Sequence, residues 1–133
     1  MITGIAHACF TVRDLQASED FYCGKLGLKK AFEFRNDAGQ PTGMYMHVGG
    51  RTFIEVFQGK HETPAQPQSF RHVCLEVDDF DATVAELRRR GADVTGVSLG
   101  MDNSYQAWLV DPDGNQIELH GYTPKSWQAP HLK

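Results

Sequence analysis

The sequence predicts an α+β fold built from two tandem βαβββ modules with curved sheets. The order strand, helix, then three strands can be read once in each half of the 133 residues. Three landmarks also recur at nearly constant offset: His7 to His72 is 65 residues, Gly27 to Gly91 is 64, and Glu55 to Glu118 is 63. Independent landmarks agreeing so closely indicate an internal duplication.

Module 1 spans about residues 3–57. GIAHACFTV alternates in character, as a half-buried strand does. Asp14 is placed to cap a helix through LQASEDFYCGKL, whose Leu15, Phe21, Tyr22 and Leu26 fall near helical spacing, and Gly27 is placed to end it. LKKAFEFRN reads as a second strand and DAGQPTG as a turn. MYMHVGG and RTFIEVF follow as strands joined at Gly49-Gly50, a hairpin signal.

Residues 58–69 form a polar, proline-containing linker, and module 2 covers about 70–121. FRHVCLEV is its first strand. Asp78 or Asp79 caps the helix FDATVAELRRR, which Gly91 ends. ADVTGVSL is read as a strand, and SYQAWLV and NQIELHGY flank the turn Asp111-Pro112-Asp113-Gly114. The tail, 122–133, is expected to be extended and laid over a neighbouring surface through Trp127. The whole chain, 1–133, is read as a single domain.

Side chains alternate across a strand, so strand parity shows which residues share a face. Ala8, Phe10 and Val12 oppose His7, Cys9 and Thr11; Val73, Leu75 and Val77 oppose His72, Cys74 and Glu76. Ile54 and Val56 oppose Glu55, and Ile117 and Leu119 oppose Glu118. The apolar sets can pack under the helices. His7, Glu55, His72 and Glu118 then share the uncovered, concave faces, where a ligand would go. Two imidazoles and two carboxylates form a complete ligand set for one divalent transition metal, and Ni, Co, Zn, Mn or Fe would suit it. Cys9 and Cys74 share these faces and are read as small fillers. His120 and Tyr122 share the parity of Glu118. Together with Gln106, Trp108 and His47 they are candidate substrate-binding residues.

Composition excludes other classes. A net charge of −4 leaves no electrostatic footprint for nucleic acid or an anionic membrane. The run Arg88-Arg89-Arg90 closes a helix, where cations complement the dipole. No apolar stretch approaches the roughly 20 residues that span a bilayer. The N-terminus lacks signal-peptide character, which makes the cytoplasm the default location. Three cysteines without CxxC spacing indicate neither a disulfide framework nor a zinc ribbon.

The segments SEDFYCGKLGL, FIEVF, FRHVCLEVDD and DPDGNQIEL resemble the vicinal oxygen chelate superfamily, and within it the glyoxalase I (lactoylglutathione lyase) type, over essentially residues 3–121. The resemblance implies paired modules forming a cup around one divalent metal per site. His7 and Glu55 match one ligand pair, and His72 and Glu118 the other. It further implies a homodimer and a lyase or isomerase acting on a small hydroxy-carbonyl substrate through a metal-stabilised enediolate. Glu118 is the first choice of proton acceptor, with Glu55 opposite it. Thr11 stands where glyoxalase I enzymes carry an arginine, and Gln58-Gly59 where they carry an asparagine, so strict glutathione dependence is not expected. Two other readings are an Fe(II) or Mn(II) dioxygenase with His7, His72 and Glu118 as its triad, and a metal-free binding or resistance protein. A thiol transferase would need a basic cluster that the predicted inner faces lack.

Overall fold

Residue patterning produces the same architecture in both halves of the computed structural model, which describes residues 1–65 and 68–132. The chain divides into two compact units, Met1–Thr63 and Pro64–Lys133. Each holds a four-stranded mixed sheet and a helix.

In the first unit the strands are β1 (His7–Val12), β2 (Lys29–Arg35), β3 (Pro41–Gly49) and β4 (Thr52–Gln58), in the order β1-β4-β3-β2. β1 and β4 run parallel with Cys9 opposite Glu55, and β3 and β4 run antiparallel with Tyr45 opposite Glu55. The buried face carries Phe10, Val12, Met44, Met46, Ile54 and Val56. Burying such a side chain fully contributes about 1.5–3 kcal/mol, so this parity fixes the register. Helix α1 (Leu15–Glu19) begins at Asp14, whose carboxylate accepts hydrogen bonds from the Gln16 and Ala17 amides at 2.9 and 3.1 Å. Over Asp20–Lys25 the helix widens, with Leu26 N–H bonding Phe21 O at 2.9 Å. That wider turn keeps Phe21 and Tyr22 both buried before Gly27, at φ 82°, ends it.

The second unit repeats the order with β5 (Val73–Glu76), α2 (Phe80–Arg89), β6 (Ser98–Leu99), β7 (Tyr105–Val110) and β8 (Gln116–Gly121), arranged β5-β8-β7-β6. β5 and β8 are parallel with Cys74 opposite Glu118; β7 and β8 are antiparallel with Trp108 opposite Glu118. Asp79, rather than Asp78, caps α2 by accepting from the Ala82 amide at 3.1 Å. Phe80, Val84 and Leu87 are the buried stripe of α2. At its end Gly91 N–H bonds Arg88 O, and Ala92 N–H bonds Leu87 O, a Schellman closure.

Three expectations need correction. Only Ser98–Leu99 of the expected strand 92–99 is paired as a strand. Thr95 replaces the ladder with its own bonds: its amide donates to Trp108 O at 2.9 Å, and its hydroxyl accepts from Trp108 N–H at 2.8 Å. The arginine run does more than complement a dipole. Arg88 donates to Val94 O and Thr95 O, while Arg89 and Arg90 bond Glu86. Finally, the tail is turned rather than extended, with a short helical turn at Ala129–His131. Its anchors are Ser126, buried against Ser104 at 2.8 Å, and Gln128; the Trp127 side chain is 65% exposed.

Candidate metal and substrate site

The face of each sheet that the helices leave open carries the candidate ligands. In the first unit His7, the first residue of β1, places Nε2 3.0 Å from Glu55 Oε2. In the second, His72 stands immediately before β5 and places Nε2 2.9 Å from Glu118 Oε2. Both contacts arise from the same parallel strand pairing, in which the residue two before the pairing partner of the glutamate reaches across to it. Donor atoms bound at right angles to one ion, at about 2.1 Å each, stand roughly 3 Å apart. Each His/Glu pair is in direct hydrogen-bond contact, at a spacing that two ligands of one divalent ion also adopt.

The neighbours of the two pairs differ. Tyr45 Oη lies 3.3 Å from His7 Nδ1, and burial followed by the charge of Glu55 holds its phenol above the ordinary range. Ligand-type patterning in the sequence does not single out Tyr45. The duplication does offer a signal: Tyr45 precedes Trp108 by the same 63 residues that separate Glu55 from Glu118. Trp108 meets His72 edge-on, ring centroids 4.8 Å apart.

The remaining expected residues fall as follows. His120 Nδ1 is 3.2 Å from Glu118 Oε1, and its ring meets Tyr122 edge-on at 4.8 Å. Gln106 pairs with His120 across β7–β8 and its amide bonds Ser98 Oγ at 3.4 Å. Gln106, Trp108, His120 and Tyr122 thus extend the face of Glu118. His47 shares Glu55's face at the hairpin end, where Nε2 bonds Gly50 O at 3.0 Å.

Both cysteines on these faces are exposed at their edges, unlike buried fillers. Burial of the thiol, then the charge and hydrogen bond of Glu118, push Cys74 up to about 12; burial and Glu55 likewise raise Cys9. Each thiol thus lies beside a carboxylate that disfavours its ionisation. Cys74, Glu118 and His120 can bring one ligand atom each within 4.8 Å of the others.

The open face of the first unit is also strongly aromatic. Phe32 stacks on Tyr45 at 4.8 Å, Phe34 on Phe57 at 5.1 Å, and Phe53 lies 5.7 Å from Tyr45. This aromatic surface adjoins Glu55, whereas Glu118 sits among His72, His120, Cys74 and the Trp108 ring.

The profile of the glyoxalase/bleomycin resistance protein/dioxygenase superfamily matches residues 4–119. The chain belongs to that superfamily. Among superfamily relatives, a metallothiol transferase FosB of Staphylococcus epidermidis is 29% identical over 128 residues, covering 93% of this chain and 85% of that protein. A lactoylglutathione lyase of Neisseria meningitidis is 27% identical over 121 residues, covering 86% and 88%. The crystal structure of TnmS3, an antibiotic binding protein from Streptomyces sp. CB03234, superposes with a TM-score of 0.74 at 28% identity, covering 92% of this chain and 98% of that one. This superfamily fold thus serves proteins named for different chemistry. Among the described residues no helix is long and apolar enough to cross a membrane.

Proposed function

We propose that the chain is a divalent-metal-dependent lyase or isomerase of glyoxalase I type, acting in the cytoplasm as a homodimer on a small hydroxy-carbonyl substrate. The observation that carries this reading is the twin spacing of His7 to Glu55 at 3.0 Å and His72 to Glu118 at 2.9 Å. The four residues are the proposed ligands of one ion per site, drawn from Ni, Co, Zn, Mn or Fe.

His7, Glu55, His72 and Glu118 would hold the ion, which would supply Lewis acidity for negative charge developing on the substrate. The chain's residues supply orientation and a proton acceptor. Glu118, largely buried and reached by His72 and His120, is the proposed base that takes the C–H proton and returns it to the neighbouring carbon; Glu55 stands in the equivalent place of the first module. Gln106, Trp108, His120 and Tyr122, with His47 at the rim of the other sheet, are proposed to border the substrate. The relative from Neisseria named lactoylglutathione lyase supports the reaction class. Thr11 and Gln58-Gly59 argue against strict glutathione dependence, because a hydroxyl does not replace an arginine's bidentate grip on a carboxylate.

A dioxygenase using only His7, His72 and Glu118 would leave Glu55 turned away. Glu55 instead makes the same contact with His7 that Glu118 makes with His72. A second reading, small-molecule binding without turnover, draws on the aromatic face of the first unit and on the likeness to an antibiotic binding protein. Metal analysis with sedimentation separates these. The lyase reading expects one ion per site, held by a dimer, with affinity lost in Glu55→Gln as well as in Glu118→Gln. Unchanged affinity in Glu55→Gln would transfer support to the dioxygenase, and a metal-free protein that binds ligands to the binding module.

A further inference from the structure

Glu55 and Glu118 occupy the same station in their modules, but only one of them is held at both oxygens by imidazoles. Glu118 Oε2 meets His72 Nε2 at 2.9 Å while Oε1 meets His120 Nδ1 at 3.2 Å. In the first module the position 63 residues before His120 is Phe57, whose ring stacks on Phe34 and offers no hydrogen bond. The repeat therefore breaks its symmetry at this pair.

His120 is itself packed from behind. Its ring rests edge-on against Tyr122, and its Nε2 is buried 3.8 Å from Asp102 Oδ2. Asp102 is fixed in turn by the tail: Gln128 Nε2 donates to Oδ2 at 2.6 Å, and Trp127 N–H donates to the Asp102 carbonyl at 2.9 Å. Ser104 N–H donates to the other carboxylate oxygen at 3.1 Å. The C-terminal segment thus fixes Asp102, whose carboxylate stops 3.8 Å short of His120 Nε2, an atom with no hydrogen-bond partner among the described residues.

We propose that His120 is a positioning residue: its Nδ1–H holds Glu118 Oε1 so that Oε2 alone is presented beside His72. Glu118 is then the carboxylate braced by two imidazoles, whereas among the described residues His7 is the one imidazole on Glu55, with Tyr45 and Cys9 beside it. The inference rests on the metal reading only for its consequence, since the bracing exists in the protein without an ion. Bracing of this kind has a known scale: loss of a hydrogen-bonding partner behind a metal ligand typically lowers affinity 10- to 100-fold.

Two measurements test it. In the metal-free protein, nitrogen-15 imidazole spectra should show His120 as the Nδ1–H tautomer, with that proton slow to exchange in wild type and fast in Glu118→Ala. An Nε2–H tautomer, or a proton indifferent to Glu118→Ala, would overturn the bracing whether or not the protein binds metal. Then Co(II) is titrated into the folded variants, followed by its visible absorption. His120→Ala should weaken Co(II) binding roughly 10- to 100-fold. His120→Asn, whose amide nitrogen replaces Nδ1, should restore most of it, and His120→Gln, whose amide falls nearer the place of Nε2, should not.

If wild type binds no Co(II) while the tautomer result holds, the metal reading fails and the bracing stands. Wild-type affinity in His120→Ala would instead sink the bracing and leave the metal reading intact. A thiolate charge-transfer band abolished by both Cys74→Ser and His120→Ala would make those residues ligands themselves and overturn the positioning role.

Discussion

Cys74 lies directly across the β5–β8 ladder from Glu118, whose carboxylate, after burial, raises the thiol above its ordinary range. Cys9 stands in the same relation to Glu55 across β1–β4. A thiol pinned beside a carboxylate resists ionisation, and this makes a reactivity prediction. Cys74 moves from an ordinary value of 9.0 to about 12, chiefly through burial and then through Glu118. Below both values its thiolate population falls about a thousandfold. Because the folded state raises the value, this group leaves stability unchanged below about 9 and lowers it progressively as pH climbs from 9 to about 12, where the unfolded thiol ionises and the folded one does not. In metal-free protein at about pH 8, below the ordinary thiol value, iodoacetamide should label Cys74 far more slowly than it labels the unfolded chain. Glu118→Gln should accelerate labelling. Mass-mapped alkylation rates check this, and labelling at the unfolded-chain rate would refute it.

Strand parity alone makes the candidate ligands legible in the sequence. A period of two leaves each residue one of two faces, and the apolar sets around Ile54 and Ile117 decide which face is buried. The departures have local causes that alternation does not encode. Residues 92–97 have strand-like composition, but the Thr95 hydroxyl takes the Trp108 amide that a ladder would have used. Asp102 is invisible as a site neighbour because its orientation comes from Gln128, 26 residues away. The aromatic face escapes sequence reading for a different reason. Phe32 and Phe34 read correctly as strand residues, yet their proximity to Tyr45 and Phe57 depends on register shifts along β2–β3.

The β7–β8 connection buries two carboxylates, Asp111 and Asp113, and Asp111 gathers the turn's donors. Asp111 is 4% exposed and accepts from the Asp113 amide at 2.9 Å, the Asn115 amide at 2.8 Å and the Asn115 side chain at 2.9 Å. Asp111→Ala strands these donors, and an unsatisfied buried donor costs about 1–3 kcal/mol. Asp111→Asn keeps one acceptor oxygen at the shared position and should recover part of the loss. Urea unfolding measures both. An alanine variant as stable as wild type would show that the turn holds itself.

Gly121 ends β8 where helix α2 crosses most closely. A Cβ there would lie 2.6 Å from Phe80 Cδ2 and 3.2 Å from its Cβ and Cγ, against a ring that is itself buried. Gly121→Ala should destabilise the second unit by about 1–3 kcal/mol, the usual cost of overpacking a core. Combining it with Phe80→Leu should cost less than the two single changes together, because the smaller side chain removes the clash. Strictly additive losses in a double-mutant cycle would contradict the contact.

The aromatic surface beside Glu55 predicts which substrates the site prefers. Phe34 and Phe57 stack at 5.1 Å, and Gly43 permits this: a Cβ there would stand 2.6 Å from both the Phe57 ring and the Val56 carbonyl. Phe32, 48% exposed, continues the surface by stacking on Tyr45, which in turn reaches His7. A ligand with vicinal oxygens on the metal and a flat apolar group would lay that group on these rings. Mandelate and lactate share the oxygens and differ by phenyl against methyl, so they isolate the effect. Burying a ring contributes about 1.5–3 kcal/mol, or roughly 10- to 100-fold in affinity. Calorimetry on the metal-loaded protein should find mandelate tighter by about that factor. Phe57→Ala and Gly43→Ala should each shrink the preference while leaving lactate binding nearly unchanged. Equal affinities in wild type would mean that the rings face something other than the substrate.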